Sequence, residues 1–420
     1  MPTTLLVSEE LARKTFRLDS ARSIMAGIAE AFGRTFFLLI ALQAFNAPKI
    51  DKSLIACAGG LGMLASPLLV SVVMQGRWRV SHAASVLVLS GAVLLVFPLL
   101  VHNLYVYVVC VMGAIAVGDG IAVLMAPIHA ANYPAGQRGK YVSGSLMVRV
   151  FSAAVAGYVI GGILKSDIER WPLVVGFAML AWLAQAALLW RMPSPVLALQ
   201  PTDHSAIRRR WNLVRNDSIL RNVLISWMFM GIGNLMTIPL RVEYLSKSSY
   251  GISANAAKIA MLTVTVPAIV RLFLTPGFGW IFDRVDFFTV RILVNVAFGV
   301  SIASFFAGTS DASLYFGAIT FGIGIAGGDV LWSLWTTKFA PPDKVADYMS
   351  IHTFTTGIRG TAAPFLAFWM VGTYSPRIVG FLCAGLTFVG SAIIVPEALR
   401  HRRTKRISEG IGELPLTAID

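Results

Sequence analysis

Charged residues are scarce in this sequence. Asp, Glu, Lys and Arg make up 13% of its 420 residues, against about 25% in a soluble domain. That is too little charge for a surface that meets water on every side. Cysteine is rarer still: Cys57, Cys110 and Cys383 all fall in apolar blocks, with no metal-ligand spacing and no disulfide framework. The histidines His82, His102, His129, His204, His352 and His401 are scattered without ligand spacing, which argues against a metal-dependent enzyme. No glycine-rich phosphate loop ends in Lys-Ser or Lys-Thr, so direct drive by ATP is not expected and no cofactor is implied. Period-2 alternation, the mark of a membrane β-barrel, is missing as well. Nor is there a cleavable signal pattern, because Glu9, Glu10, Arg13, Lys14 and Arg17 precede the first apolar block.

What the chain does have is apolar length. Hydrophobic residues make up 56% of it and run in long blocks. A helix needs about 20 residues to cross a bilayer core and satisfies its own backbone there. Twelve such blocks are read, near 24–45, 53–74, 83–101, 104–128, 143–164, 171–190, 220–240, 256–282, 290–307, 313–335, 350–371 and 378–395. The expected fold is an all-α membrane protein of two six-helix bundles. Residues 1–22 form an amphipathic lead-in, 23–190 the first bundle, 191–219 a linker, 220–396 the second bundle and 397–420 a basic tail.

A net charge of +14 would suggest nucleic acid in a soluble protein. Here the basic residues sit between apolar blocks, where they set orientation instead. With both termini on one side, 23 Lys and Arg fall on that side and 7 on the other. The bias predicts cytoplasmic termini, in a multi-pass protein of a bacterial inner membrane. The tail's Arg400, Arg402, Arg403, Lys405 and Arg406 suit anionic lipid at the cytoplasmic face. No nucleic-acid partner is implied, and the short loops suggest a monomer.

The halves resemble each other. Pro134, Tyr141 and Ser143 after the fourth block match Pro341, Tyr348 and Ser350 after the tenth at one constant offset, and Gly33 matches Gly233. Such parallel repeats place a substrate path between the halves, near mid-membrane.

Between the eighth and ninth blocks runs Gly277-Phe278-Gly279-Trp280-Ile281-Phe282-Asp283-Arg284, then Arg291. It resembles the Gly-x-x-x-Asp-Arg signature of the major facilitator superfamily of secondary transporters. The resemblance implies that Gly279 permits close helix approach and that Asp283 and Arg284 form a cytoplasmic charge latch. The signature usually follows the second span, where this chain has the degenerate Ser71-Val72-Val73-Met74-Gln75-Gly76-Arg77. In the fifth block Gly144, Ala153, Gly157, Tyr158, Gly161 and Gly162 fall at the spacing of the superfamily's antiporter ladder, with Ala153 for a glycine and Tyr158 for a proline. Ordinary small-residue packing accounts for the same residues. An exporter motif in the fourth block is lost: Gly118-Asp119-Gly120 is present, but Ala114 stands where an arginine belongs.

A charge at mid-bilayer costs about 2.5–3.5 kcal/mol, so each one asks for a partner or a wet cavity. Glu30, Arg34, Asp119, Arg149, Arg271, Asp329 and Arg359 are the candidates for a substrate or proton pathway, with the polar Asn234 beside them. Glu30 and Arg34, one turn apart, share a helix face. Asp119 with Arg149, and Asp329 with Arg359, are read as ion pairs across helical hairpins, either structural or proton-exchanging. Arg241, at the outer end of its span, is expected to snorkel. The functional expectation is proton-coupled export of a small organic molecule. Uptake of a nutrient or organic anion by symport or facilitation is the alternative.

Overall fold

The computed structural model describes residues 9–134, 136–196, 206–341 and 344–412. Parts of the expected lead-in, linker and tail (residues 1–8, 197–205 and 413–420) lie outside the described residues, as do Ala135, Pro342 and Asp343.

Among the described residues, twelve helices cross the molecule. They are α1 (Glu9–Gln43), α2 (Lys49–Gln75), α3 (Val80–Leu100), α4 (Leu104–Asn132), α5 (Arg138–Ser166) and α6 (Trp171–Arg191), then α7 (Ser218–Ser246), α8 (Ala256–Arg284), α9 (Phe287–Ala307), α10 (Asp311–Leu334), α11 (Val345–Met370) and α12 (Pro376–Gly412). Short polar side chains start many of them. Asn103, Asp217, Asn255, Asp286 and Ser310 each accept a hydrogen bond from a backbone N–H in the first turn of α4, α7, α8, α9 and α10. Among the described residues, eleven helices are long and apolar enough to span a membrane. The twelfth, α11, has 26 residues but carries His352, Arg359 and several threonines, so its surroundings must supply polar partners.

The duplication is plain in the packing. In the first half α1 packs on α5 and α6, α3 on α4 and α6, and α2 on α4. Adding six to each number gives the pairs of the second half: α7 on α11 and α12, α9 on α10 and α12, and α8 on α10. The halves meet through α2 on α11 and α5 on α8, which the same shift interchanges.

With twelve crossings, the start of α1 and the end of α12 lie at one end, the termini end. Towards the far end the halves touch closely. A Cβ added to Gly60 of α2 would lie 2.4 Å from the Gly360 carbonyl carbon of α11, so only glycine fits there. Gly357 is likewise packed on Leu64. One turn nearer the termini the same stripes part: Leu68 and Val72 on α2 are 72% and 67% exposed, and Phe354 on α11 is 54% exposed. The molecule is closed at the far end and open at the termini end.

Two details differ from the sequence reading. α1 begins at Glu9, so described residues of the expected lead-in are its first turns. They pack inward because the buried Asp19 neutralises Arg22 at 2.8 Å and accepts from His129 at 3.0 Å. Arg241 does not snorkel. It is fully buried, 3.8 Å over the Phe321 ring, and donates to Ser301 Oγ at 2.9 Å. The Phe321 and Phe305 rings and the Ser301 hydroxyl give the guanidinium partners in place of water.

Candidate functional site: a charge cluster between the halves

Breaks in helical regularity flank the intramembrane charges. In α1 the stretch Phe32–Phe36 winds as a π-helix directly after Glu30, and α8 has a second π-segment at Met261–Thr265, ahead of Arg271. Such bulges re-aim side chains and often mark functional sites. The two π-segments meet, Thr35 and Thr263 hydrogen-bonding at 2.9 Å across the halves. α4 is interrupted at Ile121, just after Gly118-Asp119-Gly120.

These irregularities gather the charges on one point. Glu30, its side chain 7% exposed, takes three arginines: Arg34 at 3.2 Å, Arg149 of α5 at 2.7 Å and Arg271 of α8 at 2.9 Å. Arg271 spans the halves, because its Nε also donates to Asp329 of α10 at 2.5 Å. One carboxylate bridged to a second by a buried arginine costs less than isolated charges would, since every desolvated group has a counter-charge. Arg34 and Arg149 remain 38% exposed and face open space. Asp119 lies deep within reach of both guanidiniums, yet its side chain is exposed and has no hydrogen bond or ion pair among the described residues. Gly59 of α2 makes room for it: a Cβ there would sit 2.4 Å from Asp119 Oδ2.

The hairpin pairs expected from the sequence are not those formed. Arg149 goes to Glu30 instead of Asp119, and Asp329 takes Arg271 instead of Arg359. Arg359 donates to the Trp227 carbonyl at 2.7 Å and to Thr356 Oγ1 at 2.9 Å inside the second half. Equal depth in the membrane did not decide pairing, because helix rotation aims these side chains at α1 and α8. Asn234 makes no hydrogen bond to the cluster, and its Oδ1 is buried without a partner.

The latch and ladder residues lie elsewhere. Asp283 is exposed and unpaired among the described residues, Arg284 folds onto the Trp280 ring at 4.4 Å, and a Cβ on Gly279 would meet nothing within 4 Å. Among the described residues, Asp283 and Arg284 thus make none of the contacts that a charge latch would need. Arg291 is buried. In the ladder, Gly157 and Gly161 pack on Thr265 and Ala260 of α8, so these two glycines serve the joint between the halves. Gly144 lies against Phe16, Gly162 is open, and Tyr158 points outward.

A contact not anticipated from the sequence closes the far end. Lys52 of α2 donates to Glu243 of α7 at 2.8 Å, both side chains almost fully buried. Lys247 joins Glu243 at 2.6 Å. Burial works against the Lys247 ammonium, but the carboxylate more than offsets it, so its pKa lies above the ordinary lysine value. An acid in the last turn of an apolar span was the available signal for Glu243.

Comparison with known proteins agrees with this architecture. The sequence profile described as Major Facilitator Superfamily matches residues 23–363. The chain's fold is similar to that of the nucleoside transporter NupG, with TM-score 0.71 at 13% identity over 92% of this chain and 99% of that one. It is also similar to the inward-open xylose transporter XylE from E. coli, with TM-score 0.68 at 14% identity over 91% and 95% of the two chains. A transporter of the POT family in complex with 5-aminolevulinic acid gives TM-score 0.71 at 12% identity over 92% and 96%. No curated protein matches by sequence.

Proposed function

The chain belongs to the Major Facilitator Superfamily, and from that premise we propose a secondary transporter working by alternating access, which couples a small charged organic solute to protons at the central cluster. It is a transporter and not an enzyme. The observation that carries the reading is Glu30 held by three arginines between the halves, with the unpaired Asp119 beside them. Arg34, Arg149 and Arg271 balance Glu30, Asp329 and Asp119 in charge. One proton on a carboxylate leaves the cluster one positive charge in excess, and an anionic group can then occupy the exposed Arg34 and Arg149. Proton and anion bind together in this scheme and move in the same direction, which in a respiring cell is inward.

The free carboxylate of Asp119 supports a second reading, proton-driven export. A cationic solute and a proton would compete for that oxygen, so each would leave as the other enters. Both readings place the protein in a bacterial inner membrane with cytoplasmic termini, as the 23-to-7 basic bias suggests. The open end then faces the cytoplasm. The monomer is the working unit, and the basic tail sits on anionic lipid.

Membrane vesicles with an internal pH dye separate the readings. Organic anions added without a gradient should acidify the lumen under symport. Organic cations added to vesicles with an acid lumen should alkalinise it under antiport. Asp119→Asn should abolish either signal and leave solute counterflow intact. Full proton coupling in Asp119→Asn would remove Asp119 as the coupling group, and silence from both solute classes in wild type would remove proton coupling itself.

A further inference from the structure

A second group of charges lies inside the C-terminal half, where α7, α9, α10 and α11 pack. Arg291 of α9 and Arg359 of α11 are 4% and 6% exposed, and no carboxylate pairs with either among the described residues. The two guanidiniums lie within electrostatic reach of each other. Arg291 stacks over the Trp227 ring at 4.9 Å, but its Nε and Nη2 have no hydrogen-bond partner. Arg359 Nε has none either. His352 is fully buried with its ring 3.9 Å from that of Trp227, and neither of its nitrogens is bonded. The Trp227 indole N–H and both amide atoms of Asn295, one turn beyond Arg291, are buried and unpartnered as well. Trp335, Phe278 and Phe282 belong to the apolar cluster around them.

A stacked ring offsets part of the cost of burying a guanidinium, yet it leaves the N–H groups unmet. The N-terminal half handles the same problem with an acid: its buried Arg22 and half-buried His129 share Asp19. Here donors of one sign converge, and no acid is built in. Groups arranged so ask for a small anion among them.

We propose that this cluster binds one small inorganic anion of halide size, held by Arg291, Arg359 and the Trp227 N–H, with Asn295 and His352 completing the shell. The site is distinct from the central cluster, whose arginines have carboxylates. Trp332, 36% exposed with its ring 5.6 Å from His352, lies between the site and open space and marks the path of entry.

The test uses purified full-length protein in gluconate buffer, titrated with chloride or bromide at constant ionic strength. Chloride should raise the unfolding temperature saturably, by about 2 °C or more. Bromide should quench tryptophan fluorescence saturably, because Trp227 borders the site. Arg291→Met should lose both responses and be no less stable than wild type in gluconate, since it removes an uncompensated charge. Arg149→Gln should keep both. An absent or non-saturating response in wild type, or one that sulfate and chloride share equally, overturns the proposal. So does a response lost in Arg149→Gln and kept in Arg291→Met, which would put the anion at the central cluster. Should Arg291→Met fail to fold, the wild-type anion series and Arg149→Gln still decide.

Discussion

The helices α2 and α11 run through both ends of the molecule and meet differently at each. At the far end α2 and α11 touch through Gly60 and Gly360, Thr35 bonds Thr263, and Lys52 reaches Glu243. At the termini end the same stripes carry Leu68, Val72 and Phe354, which have no such seat. The charge cluster lies between the two regimes. Closure at the far end thus rests on small residues, one threonine pair and one buried ion pair.

The largest effect is expected at the charge cluster. Glu30→Gln takes the shared carboxylate from three arginines. Orphaning buried charge costs about 3–5 kcal/mol, so transport should fall by ~100-fold or more, read as initial solute flux. At the far end, Glu243→Gln leaves Lys52 and Lys247 facing each other, and should weaken closure by about 3 kcal/mol, near the lower bound for a broken buried pair. The double variant Lys52→Met with Glu243→Met should recover much of that loss in a thermal unfolding cycle. Gly60→Val overpacks the glycine contact at a cost of about 1–3 kcal/mol to the closed far end alone, and should cut flux while the protein still folds. The smallest effect belongs to the short helix Ala206–Asn216 in the linker, where Arg209 and Arg210 reach Asp347 at 2.9 and 3.1 Å while partly exposed. Arg209→Ala should change stability by only about 0.2–1 kcal/mol, less at high salt.

Much of this was legible in the sequence, for identifiable reasons. Span number and the division into halves follow from apolar length, which lipid enforces. The intramembrane charges stood out because each is costly in an apolar run, and Glu30, Arg34, Asp119, Arg149, Arg271 and Asp329 do converge. Their pairing was not legible. It depends on helix rotation, and on the π-turns at Phe32–Phe36 and Met261–Thr265, which no residue pattern announces. Gly59 and Gly60 were also hidden, because a glycine's use depends on what it meets across the helix. The burial of Arg291 was hidden too: it follows the exposed Asp283 and Arg284 in sequence, but α9 turns it inward.

Reciprocal opening and closing of the two ends about the charge cluster can be measured without knowing the solute. With Cys57, Cys110 and Cys383 replaced, Leu68→Cys would be labelled from the termini end by a membrane-impermeant thiol reagent, alone and combined with Gly60→Val. Forcing the far end apart should close the termini end and slow labelling about tenfold, as a population shift of ~1.4 kcal/mol would. Equal labelling in the two proteins would mean that the ends move independently, and the account would fail.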